Sequence, residues 1–242
     1  MASESLLKVL SEAGIASRRK LTEAIKQGRV TVNGQVVDGF RFPVDSARDR
    51  VALDGRAIGF QTQSSVYLLL NKPAGVLSTT HDERGRKTVL SLLPPKYRHL
   101  RLYPVGRLDL DSTGLLLLTN DGDLTYHLTH PRFEHEKEYL VAIDGGLSPE
   151  EKRKLEQGIE LDGKRTAPAT VREVKNLPPF NYSITLHEGR KRQLRRMLAA
   201  LGYRVQHLKR VRMGSLGLGS LREGAVRELD KREVRALTGG KH

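Results

Sequence analysis

The sequence predicts an α+β protein built as two domains, and three observations carry that expectation. A helix–helix–hairpin pattern occupies residues 6–37, small polar residues follow at 61–65, and beyond them unbroken apolar strands mix with amphipathic helices. The expected boundaries are a small domain over 1–60, a linker over 61–65, a larger domain over 66–237 and a tail over 238–242. A chain of 242 residues is long enough for two modest domains.

Taken in order, Leu6, Leu7, Val9, Leu10 and Ala13 recur at helical spacing, and Gly14 suits the left-handed position that ends a helix. Ser17 can cap a second helix over 18–27, with Leu21, Ala24 and Ile25 inward and Gly28 closing it. Val30 to Val37 reads as two short strands around an Asn33-Gly34 turn. Arg18, Arg19, Lys20, Lys26 and Arg29 cluster on and just after the second helix, a face that can dock on phosphates or remain simply solvated.

In the second domain, Val66 to Leu70 is a buried strand running into Asn71-Lys72-Pro73-Ala74-Gly75, where proline and glycine force a bend. Leu115 to Leu118, bounded by turn residues, reads as a strand buried on both faces. The polar stretch Gly106-Arg107-Leu108-Asp109-Leu110-Asp111-Ser112-Thr113-Gly114 is therefore pinned to the core of a sheet, where a fixed geometry for Asp109 can be held. From spacing alone Asp109 and Asp111 are equivalent, and ordinary turn carboxylates remain an open reading.

Asp121 or Asn120 can cap a helix through His130 that Pro131 stops, and Lys137 to Ile143 alternates as a strand with Lys137, Tyr139, Val141 and Ile143 on one face. Ser148-Pro149-Glu150-Glu151 is a capping box that opens a helix closed by Gly158, and Asp162-Gly163 turns a hairpin. A strand over 181–187, a turn over 188–190 and a helix over 191–201 follow. Leu194, Met197, Leu198 and Leu201 form the apolar stripe of that helix, with Arg192, Arg195 and Arg196 on another face. An arginine face meeting a carboxylate loop would keep an acid ionised, while Arg192 and Arg196 could equally be solvated or meet phosphate.

Composition narrows the function. Lys and Arg total 42 against 28 Asp and Glu, a net charge of +14, and the pI is near 10.1. This excess favours a polyanionic partner, most often nucleic acid. The basic residues are spread along the chain, not gathered on one amphipathic helix, so no membrane partner is expected. The absence of cysteine excludes disulfides, cysteine-ligated zinc, iron–sulfur clusters and a thiolate nucleophile. No apolar run reaches eighteen residues, and the first residues show no export signal. His127, His130 and His135 lack supporting ligands, so no metal is expected. Asp109-x-Asp111-x-Thr113 fits a haloacid-dehalogenase-like phosphotransferase signature only loosely, because a preceding apolar run and a later acidic pair are missing. A calcium loop fails because Asn120 stands where a bidentate glutamate is needed.

Two resemblances complete the reading. Residues 4–60, with A-G-I-A-S-R-R and G-R-V-T-V-N-G, resemble the small RNA-binding domain first described in ribosomal protein S-four. N-K-P-A-G-V at 71–76, G-R-L-D-L-D-S-T-G-L-L-L-L-T-N-D-G at 106–122, K-E-Y-L-V at 137–141 and E-G-R-K-R-Q-L-R-R-M at 188–197 are similar, in order and spacing, to the RsuA/RluB group of pseudouridine synthases. Ser112 stands where that family more often has threonine.

The second resemblance implies a catalytic domain with a mixed, largely antiparallel sheet flanked by helices and loops, and an enzyme that isomerises uridine in ribosomal RNA without a cofactor. Arg192 in the last motif favours the subgroup acting on large-subunit (23S) ribosomal RNA; a small-subunit enzyme and a non-catalytic assembly factor are the alternatives. By position it implies Asp109 as the catalytic carboxylate, Tyr139 as the uracil-stacking base, Arg195 as the basic partner of Asp109, and Arg107 as support for the loop. Lys72, Arg190, Lys191, Arg192 and Arg196 are expected to meet RNA alongside the N-terminal cations. The expected partner is ribosomal RNA or a pre-ribosomal particle, met by a monomer in the cytoplasm.

Overall fold

The computed structural model describes residues 3–60 and 64–238. Contacts divide the chain into two compact units, Met1–Ser65 and Val66–His242. Most of the expected linker, residues 61–63, and all of the tail after Thr238 lie outside the described residues.

In the first unit, helices Leu6–Glu12 and Arg18–Lys26 pack on a four-stranded sheet of short antiparallel strands. Ser17 caps the second helix by accepting from the Lys20 backbone N–H at 3.2 Å, so the chain turns there as its sequence requires. Asn33 and Gly34 both take positive φ, 53° and 82°, the backbone of a two-residue hairpin turn matched to strand twist. Leu6, Leu10, Leu21, Ile25 and Val30 are fully buried between helices and sheet.

The second unit is built on a nine-stranded sheet. Its central order runs Ala169–Glu173, Tyr182–Leu186, Lys137–Ile143, Val205–Met213, Thr113–Thr119, Tyr67–Lys72 and Val226–Glu228. Every pairing is antiparallel except that of Val205–Met213 with Thr113–Thr119, so the sheet is mixed and largely antiparallel as expected. The leucine strand lies inside: Leu115 and Leu117 face one apolar cluster while Leu116 and Leu118 face another, all at zero exposure. A strand buried on both faces cannot slip in register without exposing half of its leucines. It is a rigid base for the polar loop that precedes it.

The one parallel pairing requires Gly114. It sits at φ +101°, and a Cβ there would come within 2.2 Å of the Arg210 carbonyl oxygen, so only glycine fits. The Ser148 capping box forms in full and opens helix Pro149–Gln157. The helix expected over 191–201 is shorter, Gln193–Ala199, and Arg192 precedes it in the left-handed region at φ 51°.

Candidate active site

The loop from Leu108 to Ser112 is held by its carbonyls. Ser78 Oγ donates to the Leu108 oxygen at 2.9 Å and accepts from the Leu108 N–H at 3.1 Å. The Ser112 N–H closes a turn on the Asp109 oxygen at 3.1 Å, and the Gly75 N–H donates to the Leu110 oxygen at 2.8 Å. Arg195 Nη2 donates to the Asp111 oxygen at 3.1 Å, and Lys72 Nζ to the Ser112 oxygen at 2.8 Å. Five consecutive carbonyls thus each have a donor, and four of those donors come from outside the loop. Bonds of this kind fix the backbone; the Asp109 side chain accepts no main-chain hydrogen bond among the described residues, whereas the Asp111 carboxylate also meets its own N–H.

Lys72 is the residue that the sequence placed least well. Expected to meet RNA, it is instead fully buried, with Nζ bonded to the carbonyls of Pro73 and Ser112. The strand Tyr67–Lys72 is buried along its whole length, so its last residue has no route to solvent. Burial lowers the Lys72 ammonium to a pKa of about 8, against the opposing pull of Asp111, Asp109 and Glu223. The positive charge therefore lies beneath the carboxylate loop.

The arginines also sort differently from expectation. Arg195, with only 12% of its side chain exposed, pairs with Asp111 at 3.2 Å and donates to the Val205 oxygen at 2.9 Å. The expected direct pair between Arg195 and Asp109 is replaced by this one, because the turn at Asp109 presents Asp111 to the helix. Arg192 bonds both oxygens of Asp111 at 3.2 Å, and its Nη1 lies 3.8 Å from Asp109 Oδ2. Burial raises the Asp111 carboxyl, but the Arg192 hydrogen bonds and the charges of Arg195 and Arg192 outweigh it and leave the group below its ordinary value.

Local sequence explains why Arg192 reaches the loop. Gln193, buried, accepts from the Arg190 N–H at 3.0 Å and donates to Glu188 at 2.7 Å, which locks the turn. The left-handed Arg192 then takes its side chain off the helix face that a 3.6-residue period would assign, a conformation that a structure must over-determine to hold. Arg190 is committed to structure as well, bonding the carbonyls of Lys164 and Arg165 and the Glu188 carboxylate. Arg196 pairs with Asp162 at 2.6 Å. Lys191 is exposed and makes no ion pair among the described residues.

Tyr139 is half-buried and packs against two apolar clusters, one that holds Leu108 and Leu116 and one that holds Val141 and Ile184. Arg107 is exposed and makes no side-chain hydrogen bond or ion pair among the described residues. Spacing did not single out Ser78 or Arg210. Arg210 is only 3% exposed, bonds the Leu115 oxygen at 2.8 Å, and adds a second buried cation beside Gly114. In the first unit Arg18, Arg19, Lys20 and Lys26 are exposed and make no ion pair among the described residues, and Arg18, Arg19 and Lys26 line a shallow depression with Thr22 and Glu23. Arg29 departs from that group by pairing with Asp54 at 2.5 Å. Among the described residues no cluster of His, Asp or Glu has the geometry to hold a metal, and no helix is long and apolar enough to cross a membrane.

A carboxylate on a fixed loop, arginines beside it and an aromatic ring packed in the apolar cluster of the neighbouring Leu108 suit attack on a sugar–base unit more than phosphate transfer. Comparison with known proteins agrees. Residues 66–200 match the family model described as RNA pseudouridylate synthase, and residues 4–47 match the S4 domain. The chain is 43% identical over 237 residues to a ribosomal large subunit pseudouridine synthase B from Bacillus subtilis, covering 97% of this chain and 95% of that protein. It is 41% identical over 241 residues to the Vibrio cholerae protein of the same name, covering 97% of this chain and 74% of the other. A crystal structure of a pseudouridylate synthase superposes with a TM-score of 0.69 at 32% identity, over 97% of this chain and all of that one. The chain belongs to the RNA pseudouridylate synthase family, enzymes that isomerise uridine in RNA, in the branch that carries an N-terminal S4 domain.

Proposed function

We propose that this protein converts a uridine of large-subunit ribosomal RNA to pseudouridine, with Asp109 as its catalytic carboxylate. The observation that carries the role of Asp109 is the loop itself: five tied carbonyls hold the backbone, and the Asp109 side chain remains one-third exposed beside Arg192. In the isomerisation the N1–C1′ bond breaks, the uracil turns, C5 bonds to C1′, and the C5 proton is lost while N1 gains one. The ionised carboxylate starts the reaction at the ribose. Tyr139 stacks on the uracil and takes the C5 proton, and Arg195 acts through Asp111 to keep the loop in place. The uridine has to leave its stack to reach such a loop, so base flipping accompanies binding.

The large-subunit target rests on the two similar large-subunit synthases and on the S4-type unit. In this reading residues 1–60 hold structured RNA through Arg18, Arg19, Lys20 and Lys26, residues 66–237 carry the chemistry, and the protein works in the cytoplasm on ribosomal RNA or a pre-ribosomal particle. Asp109→Asn is expected to abolish tritium release from RNA labelled at uridine C5 while RNA binding persists; full release by that variant would overturn the assignment. Pseudouridine maps of both ribosomal RNAs, with and without the protein, test the target. A missing site in the small-subunit RNA alone would redirect it.

A further inference from the structure

Beside the catalytic loop lies an exposed aromatic and basic surface that the isomerisation itself does not use. Helix Gly122–Thr129 and the turn Pro131–Phe133 carry Tyr126, His127, His130, Arg132 and Phe133. The Arg132 guanidinium sits 4.4 Å from the Phe133 ring centre and 5.1 Å from that of Tyr126. Phe133 is covered on another side by His127, centre to centre 4.2 Å, whereas Tyr126 is 48% exposed. His130, with its ring 4.8 Å from that of Tyr126, accepts the Arg132 backbone N–H on Nδ1 at 3.3 Å. That bond leaves the ring proton on Nε2, a donor with no partner among the described residues.

The surface meets the site at the opening of the loop, from the other face of the sheet: Leu124 and Leu128 of the helix pack with Leu115 and Leu117, whereas Leu108 and Tyr139 pack with Leu116 and Leu118. Thr129, on the last turn of the same helix, lies 3.6 Å from the Cβ position of Gly106, the residue that opens the Asp109 loop. Arg107, the next residue, is exposed and has no ion-pair partner among the described residues. Glu134 is the one carboxylate on the turn itself, and it is exposed. An aromatic face with a planar cation held against it, a free imidazole N–H and a nearby free guanidinium match the chemistry of a nucleotide: a π-face to stack and a phosphate to neutralise.

We infer that Tyr126 and Arg132 form a stacking platform for an unpaired nucleotide of the substrate RNA that passes the opening of the loop, whose phosphate is met by His130 Nε2 and Arg107. The inference rests on the proposed RNA substrate and deepens it: the RNA is bound with a single-stranded nucleotide outside the pocket of the flipped uridine. Stacking on a preset ring and guanidinium is tolerant of base identity, so the platform selects unpaired structure and not sequence.

The test is binding of two RNAs by the full chain, a hairpin with a uridine-rich loop carrying 2-aminopurine and the same strand closed into a perfect duplex. Wild type is expected to quench 2-aminopurine and prefer the hairpin. Tyr126→Ala and Arg132→Gln should each lose roughly 10-fold in hairpin affinity with duplex affinity unchanged, and Tyr126→Phe should retain both quenching and preference. Unchanged hairpin binding by Tyr126→Ala, or equal weakening on hairpin and duplex, would overturn the platform. Binding is read without turnover, so the two ideas fail separately. A Tyr126-dependent preference without tritium release would leave the platform standing and remove the isomerase, and release with no Tyr126 dependence would do the reverse.

Discussion

Two basic segments look alike as strings and behave as opposites in the structure. Arg18-Arg19-Lys20 opens a helix whose cations, through Lys26, are exposed and carry no ion pair among the described residues, whereas Arg190 to Arg196 spends nearly all its guanidinium groups on carboxylates and carbonyls. The difference lies in what faces each segment. The first helix buries Leu21, Ala24 and Ile25 and turns its charges to solvent, where counterion release can drive RNA binding. The second faces Asp111, Asp162 and open main-chain oxygens, so its charges organise the protein before any RNA arrives. A charge run read from sequence is thus a statement about supply; the partners decide the use.

The largest way to break this comparison is Arg195→Ala. It removes the donor to the Asp111 and Val205 oxygens together with the half-buried ion pair to Asp111. Leaving such acceptors unsatisfied costs about 1–3 kcal/mol each. Turnover should fall roughly 100-fold, near 3 kcal/mol, while RNA affinity changes less than about 3-fold. Single-turnover tritium release and a binding titration separate the two. A loss confined to affinity would place Arg195 with the phosphate-binding cations.

Lys72→Met comes next. It leaves the Pro73 and Ser112 oxygens without their buried donor, and the Asp109 loop without the charge beneath it. Turnover is expected to drop on the order of 10-fold with binding intact. Stability carries a separate signature. The folded pKa of about 8 lies below the ordinary lysine value of 10.5, so between those pH values the unfolded chain holds a proton that the folded chain has released. Stability contributed by Lys72 therefore rises with pH across that window, by up to about 3 kcal/mol. Urea unfolding at pH 7.5 and pH 10 should show that gain in wild type and not in Lys72→Met; equal gains in both would remove the buried ammonium from the account.

How far the sequence could be read follows from these same residues. Asn33-Gly34, Ser17, the Ser148 box and the four leucines announce their conformations through local rules, and the structure has them so. Asp109 and Tyr139 came from motif resemblance, and nothing in their spacing separated Asp109 from Asp111. Lys72 and Arg195 were placed in the wrong company because their partners are main-chain oxygens and a turn carboxylate, and no side-chain pattern records where a carbonyl will lie. Arg192 misled for a related reason: helical periodicity assigns it a face, but the helix starts only at Gln193, where the Gln193–Glu188 bond locks the turn.

Replacing Arg18, Arg19 and Lys26 one at a time by alanine should weaken RNA binding a few-fold each at physiological salt and lower the slope of log affinity against log salt by about 1 per cation. Turnover at saturating RNA should stay as in wild type, the reverse of Arg195→Ala. Three unchanged slopes would mean that the depression they line meets no phosphate.

Arg196→Ala is the smallest and the sharpest. Arg196 belongs to the paired segment, yet its partner Asp162 is 78% exposed, on the hairpin turn between Glu160–Leu161 and Lys164–Arg165. An ion pair that open to solvent contributes at most about 1 kcal/mol, and salt screens it further. The variant should therefore lose less than about 2-fold in turnover and in affinity, with its melting temperature within a few degrees of wild type. Were affinity instead to fall about 10-fold with a shallower salt slope, Arg196 would be leaving Asp162 for a phosphate when RNA binds. The paired segment would then contain one cation of the free kind, held by a carboxylate weak enough to be displaced.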